Sequence, residues 1–512
     1  MCAAMKNKFA FILAALCLTA CNLDEKPYGF YSEGSFYKTE ADAQAATMYI
    51  YDAINYIEYS RAIVFLGGMN TDELHPKGDA TPSTKDLDAW TQENFRSNVA
   101  LGNFFKFSYI TINRANAVIE NVPKMSIDEG QKNRFTGEAY FMRAYSYFNL
   151  ARNFGRVPVH MKVVTSLDDT AAGLAESLDQ LWGYILSDLE TAVQLLPVYA
   201  KPEPGRVDKV AAQGLLAKAY LYLASAKDYG VPQYKDMSFS VDDYYSKAAQ
   251  YAGEVVDNAQ QTTYRFDTDL MHIFDVNYPD GPEHLFIMSM DRTGESEGQY
   301  SKISKMYIPY IAGGTIYLKQ GDQDSYIPSH DGWSEYCTEM DFYNSFEAGD
   351  LRKDWLICKE VYDAEGKVIA SIDGGDGITK MSYPFCRKYI DPGFVGDKTS
   401  TKPFLLRFSD IVLTYAEAVG PTEKGYEAVN SIRRRAGLGD LAPGLSVADF
   451  RKAVIKERVY ELAFEGNITY DLRRTGQLHT VKALVGQGVT NEEDVLFYPI
   501  PSIETDLNPN IK

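Results

Sequence analysis

The sequence predicts a mainly α protein: a scaffold of four degenerate tetratricopeptide-type helix pairs carrying a loop-rich lobe with short strands. Three observations carry that expectation. Segments 137–155 and 211–230 repeat one pattern of basic residue, Ala, Tyr, any residue, Tyr: Arg143-Ala144-Tyr145-Ser146-Tyr147 and Lys218-Ala219-Tyr220-Leu221-Tyr222. Each is followed by an amphipathic partner, one with Leu181, Ile185, Leu189 and Val193 on a single face, the other with Tyr245, Ala248, Ala252 and Val255. Between about 262 and 404 that periodicity gives way to Gly, Pro, Asp and aromatics. Small residues on a helix face let a second helix approach closely, and stacked pairs bury what one pair cannot. On these residues alone, an α bundle without repeat geometry is the alternative.

The elements follow in order. Lys6 and Lys8 precede an apolar run, Phe9 to Leu18, that is too short to span a bilayer and reads as a secretion signal. Met5 directly precedes the basic residues and competes with Met1 as the start. The break at Leu18-Thr19-Ala20-Cys21 resembles the bacterial lipobox, which implies a signal peptide over 1–20, lipidation of Cys21 and a tether over 21–35. An ordinary signal cleaved nearby would leave Cys21 incidental. Asp24 and Glu25 resemble the surface-export signal of Bacteroidetes lipoproteins. Residues 36–512 are expected to form one unit, with the scaffold over 36–260 and 405–480 and the lobe over about 262–404. The outer helix pairs are "ADAQAATMYIYDAINY" with "KFSYITINRANAVIENVP", and "LRFSDIVLTYAEAVG" with "GYEAVNSIRRRAGL". In the lobe, "EHLFIMSM" reads as a buried strand and "LICKEVYDAEGKVIASID" as a hairpin turning at Asp363 to Gly366.

Composition excludes several functions. A net charge of −19 opposes a general phosphate-binding surface, so no nucleic-acid partner is expected. Past Cys21 only Cys337, Cys358 and Cys386 remain, without a CxxC, which leaves room for one disulfide and no zinc site. The six histidines include no HExxH, so no metal or other cofactor is expected. Gly294-Glu295-Ser296-Glu297-Gly298 matches the nucleophile-elbow pattern, but the strand ends early and two carboxylates flank the serine. Arg433-Arg434-Arg435 fits a helix C-terminus paired with carboxylates.

The C-terminal third then becomes specific. "RFSDIVLTYAEAV", "AVNSIRRRAGL", "FRKAVIKERVYELAFEGNITYDLRRTG" and "FYPIPSIETDLNPN" occur in that order, after "SFYKTEADAQAA", "INRANAVIENVP", "EAYFMRAYSYFNLARNFGRVP" and "SFEAGDLRK". Together these resemble the signature series of the SusD/RagB family of nutrient-binding outer-membrane lipoproteins. Asn467-Ile468-Thr469 departs from it, standing where an Arg is common. Asp410, Glu417, Arg433, Arg458, Glu461, Glu465, Asp471 and Arg473 suit charge-assisted bonds among packed helices. The resemblance implies a SusD-like fold and a non-catalytic lipoprotein on the outer face of the outer membrane. There it would capture a glycan and pass it to a SusC-like TonB-dependent transporter. RagB-like peptide capture is the alternative, and a lipid-anchored surface hydrolase a more distant one.

A sugar ring has an apolar C–H face and a polar rim, so its site needs exposed aromatic planes beside amides, acids or arginines. Two inserted regions offer these. Residues 67–98 bring Asn70, Asp72, Trp90, Asn94 and Arg96; residues 307–336 bring Tyr310, Tyr317, Tyr326 and Trp333. Trp182, on an amphipathic helix, is assigned to the core.

Overall fold

The computed structural model describes residues 36–511 apart from 259–260, 279, 297, 312–313 and 320–324. The signal peptide, Cys21 and the tether therefore lie outside the described residues, as does Glu297 of the elbow-like motif. Eleven helices build the frame: α1 (Glu40–Asn55), α2 (Ile57–Phe65), α3 (Val99–Asn121), α4 (Glu129–Phe154), α5 (Leu178–Leu195), α6 (Lys209–Asp228), α7 (Val241–Asp257), α8 (Phe408–Val419), α9 (Glu423–Arg435), α10 (Val447–Glu461) and α11 (Ile468–Arg474). The four expected pairs form: α1 on α3, α4 on α5, α6 on α7 and α8 on α9. Most begin on a side-chain oxygen that accepts an otherwise orphaned amide. Thr39 and Asp42 form a reciprocal capping box, and Ser177, Asp208 and Ser240 each accept from the third helical residue.

The repeated basic residue turns out to be a pin. Arg143 makes a bidentate pair with Asp188 of α5 at 2.7 and 2.8 Å, inside the helix pair. Lys218 instead reaches Asp410 of α8 at 2.6 Å and Asn467 at 2.7 Å, tying separate pairs together. Asn467, the departure from the family series, thus accepts a bond from a lysine. Trp182 is buried and stacked on Tyr222.

Short strands lie between α7 and α8, and one more lies between α2 and α3. The chain contributes β1 (His75–Pro76), β2 (His284–Ile287), β3 (Thr315–Lys319), β4 (Tyr326–His330), β5 (Tyr336–Cys337), β6 (Ile357–Cys358), β7 (Glu360–Tyr362), β8 (Val368–Ser371), β9 (Thr379–Lys380), β10 (Phe385–Cys386) and β11 (Phe404–Arg407). Five of them form one sheet in the order β4-β3-β7-β8-β9, parallel only between β8 and β9. The expected hairpin is β7–β8, closed by the Asp363 carboxylate and Gly366 at φ 80°. β2 pairs with β11 and joins the frame. A small separate core of Ile308, Ile316, Leu318, Val361, Ala370 and Met381 lies under the sheet. On the β6–β10 ladder Cys358 faces Phe385 and Cys386 faces Ile357, so the two thiols point to opposite sides. All three described cysteines are free.

Lobe and frame are joined by buried charge. Arg407 bonds Glu283, Glu461 and Glu465 at 2.7–3.0 Å. Lys388, from the lobe, reaches Glu465 at 2.7 Å, and Arg352, also from the lobe, reaches Glu457 at 2.6 Å. Arg435 pairs with Glu283 and Glu461, each at 2.5 Å. Below them Arg458 holds Asp410 and Asp471, and Arg474 holds Glu417 and Asp471. Arg473, expected in this set, instead donates to the Val495 and Arg152 carbonyls and to the Asn153 side chain. Burial alone would raise the Glu461 carboxyl, but Arg435, Arg407 and Arg352 outweigh it and hold it far below its ordinary value.

Arg407→Ala should cost about 3–5 kcal/mol in denaturant unfolding, because it leaves three buried carboxylates short of a partner. Arg434→Ala, whose partners Glu427 and Asp440 are exposed, should leave the midpoint unchanged. Glu283, Glu461 and Asp410 ionise below their ordinary values, so their contribution is complete above about pH 4.5. It should be lost as pH falls toward their lowered folded values, which acid titration of stability checks.

Candidate functional site

An open cleft of about 300 Å³ is lined by loops of the lobe and by the segment between α2 and α3. Three loops build it. The first is drawn in by β1, which pairs His75 with Cys337 and Pro76 with Tyr336, and by the Lys77 amide bonding the Glu335 carbonyl at 3.2 Å. This places Lys77 and Gly78 on one wall.

The second loop folds back on itself. The Trp333 amide donates to the Lys305 carbonyl at 2.8 Å, Ser334 to Ile308 at 2.9 Å, and Asp331 to Gly314 at 2.9 Å. The Asp331 carboxylate accepts the Ile311 amide at 2.7 Å. Gly332 is obligatory here, since a Cβ would stand 1.9 Å from the Ile308 oxygen. These staples hold Tyr310 on the rim, 70% exposed. The third loop, Thr379 to Phe385, brings Lys380 and the 37%-exposed Tyr383, whose ring meets His75 edge-on at 4.5 Å.

Gly67, just past α2, packs directly on Gly466. A Cβ on Gly67 would lie 2.0 Å from the Gly466 oxygen, so only glycine fits. The neighbouring Phe464 carbonyl accepts from Tyr389 at 2.8 Å and Tyr307 at 3.4 Å. Glu73 is fully buried there. Burial pushes its carboxyl up to about 8, against the pull of the Phe464 amide and Lys388.

Of the nine expected site residues, Tyr310 alone lines the cleft. Trp333 lies one residue along from Ser334, half-buried, with Arg61 at 5.9 Å and Lys305 at 5.4 Å from its ring centre. Its carbonyl accepts from Lys77 at 3.3 Å. Trp90 is not an exposed platform. It is 5% exposed, packs on Phe95 and Tyr498, and donates to the Asp494 carbonyl at 2.9 Å. Asn70 is fully buried at φ 65°, a left-handed conformation that Asn tolerates. Asn94 and Arg96 are exposed on a 3₁₀ turn outside the cleft, with Asn94 bonded to Asp86. Asp72 is half-buried and outside the lining. Tyr317 and Tyr326 belong to the sheet: Tyr317 pairs with Pro328 and Tyr362, and Tyr326 packs on Tyr362 over Gly366. Lys77, Ser334, Lys380 and Tyr383 were not anticipated. Tyr383 in "TKMSYP", close after a glycine-rich turn, was the available signal.

Two arrangements bear on catalysis. Ser296 sits on an exposed turn bonded to Gln299, well past the end of β2. Ser304 Oγ lies 2.7 Å from His330 Nε2, a serine–histidine contact that sequence reading missed. Both are buried, and His330 Nδ1 meets a main-chain carbonyl of Asp331 in place of a carboxylate. Burial lowers the His330 pKa, which suits a neutral structural imidazole. Among the described residues no group of three or more His, Cys, Asp or Glu is arranged to hold a metal, and no helix is long and apolar enough to cross a membrane.

A helix-pair frame that presents an aromatic cleft on inserted loops defines a helical-repeat binding scaffold. The chain belongs to the SusD family. The profile described as "SusD family" matches residues 221–512, and one described as "Starch-binding associating with outer membrane" matches 24–221. SusD-like protein P2 of Formosa agariphila is 26% identical over 493 residues, covering 92% of this chain and 90% of that protein. A SusD homologue of Bacteroides thetaiotaomicron superposes with a TM-score of 0.74 at 21% identity, covering 94% of this chain and 98% of its own. A structure described as a laminarin binding SusD-like protein gives 0.72 at 22% identity, covering 93% and 99%.

Trp90→Ala should cost about 3–5 kcal/mol and lower the melting temperature sharply, as truncating a core aromatic does. For Glu73 the folded pKa lies above the unfolded one, so its carboxyl costs stability progressively as pH rises from about 4.5 to about 8. Glu73→Gln should remove that loss. Its advantage over the parent chain, read from unfolding midpoints, should be small at acid pH and largest above pH 8.

Proposed function

We propose that the protein is a non-catalytic surface lipoprotein that captures a glycan in the Tyr310–Tyr383 cleft. It delivers the glycan to a SusC-like TonB-dependent transporter in the outer membrane. The observation that carries this reading is the pair of exposed tyrosine rings sharing one open cleft with lysine, serine and threonine side chains. That is the combination of apolar plane and polar rim that a pyranose requires. The starch-binding description of the family and the laminarin-binding relative support a carbohydrate ligand. On this reading Cys21 carries the lipid anchor, the protein faces the extracellular side, and the helical frame meets the transporter.

Peptide capture calls for a polar groove that engages backbone without aromatic platforms, and the exposed rings favour a glycan. A hydrolase needs a nucleophile within reach of substrate. Ser304 is buried with His330, and Ser296 lies on an exposed turn well past the end of β2 with no histidine bonded to it among the described residues.

Tyr310→Ala and Tyr383→Ala should each weaken retention in a polysaccharide-affinity gel by about tenfold, with the melting temperature unchanged. Unchanged retention in both would place the ligand elsewhere. Cys21→Ala should move the protein from the membrane to the soluble fraction and abolish its co-purification with the transporter from membranes.

A further inference from the structure

We propose that this cleft takes an acidic glycan, one carrying uronate carboxylates or sulfate esters, with Lys380 and Lys77 as its anion contacts. The inference rests on the glycan reading above and narrows it. The cleft walls contain two lysines and no aspartate or glutamate, although acids outnumber bases 70 to 51 across the chain.

Lys380 stands exposed on β9, opposite Ser371, and forms no salt bridge among the described residues. Lys77 is held in place without being saturated. Its ammonium donates to the Trp333 carbonyl at 3.3 Å, while Glu335 and Asp79 lie 3.4 and 3.8 Å away. Those separations exceed the roughly 2.7–2.9 Å of a charge-assisted bond, and an ammonium has three N–H groups to offer. Two carboxylates stand outside the lining but near the rim, Glu335 at 3.4 Å from Lys77 and Glu339 at 3.5 Å from His75, so the lysines face the cleft with acids only behind them. Past Ser334, the Arg61 guanidinium and the Lys305 ammonium near Trp333 continue the positive charge, although Lys305 also pairs with Asp397.

A neutral sugar offers these lysines only hydroxyl oxygens as acceptors, which leave their charge unpaired. A carboxylate or sulfate gains charge-assisted bonds from them while the tyrosine rings take the C–H face. The rest of the surface is net acidic and repels the same polymer, so the cleft is where such a ligand settles.

The test is calorimetric titration of the mature full-length chain with polygalacturonate, alginate and chondroitin sulfate against laminarin, amylopectin and xyloglucan. At least one acidic polymer should bind more tightly than every neutral one. Lys380→Met should weaken that binding about fivefold at low salt without moving the melting temperature. The deficit should shrink in about 0.5 M NaCl as the local attraction is screened. Acidic binding that ignores Lys380→Met overturns the assignment. A neutral glucan that binds best, is lost on Tyr310→Ala and ignores Lys380→Met overturns the acidic preference but leaves glycan capture standing. Silence across all these polymers, or binding of peptides alone, takes down glycan capture and this inference together.

Discussion

The Arg407 guanidinium is the point at which the two halves of the molecule are reconciled. It touches Glu283 ahead of β2, and Glu461 and Glu465 at the end of α10 and just beyond, all buried. Taking these ions out of water costs several kcal/mol each, and only close geometry returns it. The network is therefore a weak net stabiliser compared with apolar packing but intolerant of a missing member. Arg352 and Lys388 enter it from the lobe and Arg435 from α9. The seating of the lobe on the frame is thus fixed by matching charge as well as by shape.

The helix pairs were legible because period and small-residue faces are local properties of the chain. The ion-pairing character of the signature motifs was legible too, since Asp410, Glu417, Arg433, Arg458, Glu461, Glu465 and Asp471 all sit in buried pairs. Who pairs with whom was not. Arg473 went to main-chain carbonyls, Glu283 and Lys388 joined from segments with no motif to mark them, and Arg352 came from "SFEAGDLRK" without having been assigned a charge role. Such partners are distant in sequence and converge only once the chain has folded.

The site was the least legible part because exposure is not written in residue type. Trp90 looked like a platform on an inserted loop, yet it bonds a carbonyl 404 residues further along and closes the core against Tyr498. Tyr383, one of 37 tyrosines, had only its place shortly after a glycine-rich turn to mark it as exposed. The loops at 75–78 and 307–336 do meet, but through Lys77, Tyr310 and Ser334 in place of the amides and tryptophans that sequence favoured.

The buried lysine of the lobe has a consequence for anyone exchanging binding heads between relatives. A graft cut at the visible boundaries of the loop region carries Arg352 and Lys388 away with it and leaves Glu457, Glu461 and Glu465 behind without these partners. A chimera that swaps specificity must therefore transfer a complementary set of charges across the seam, or replace both sides with apolar residues of matched volume. Otherwise it pays for a new ligand with a frame that no longer closes.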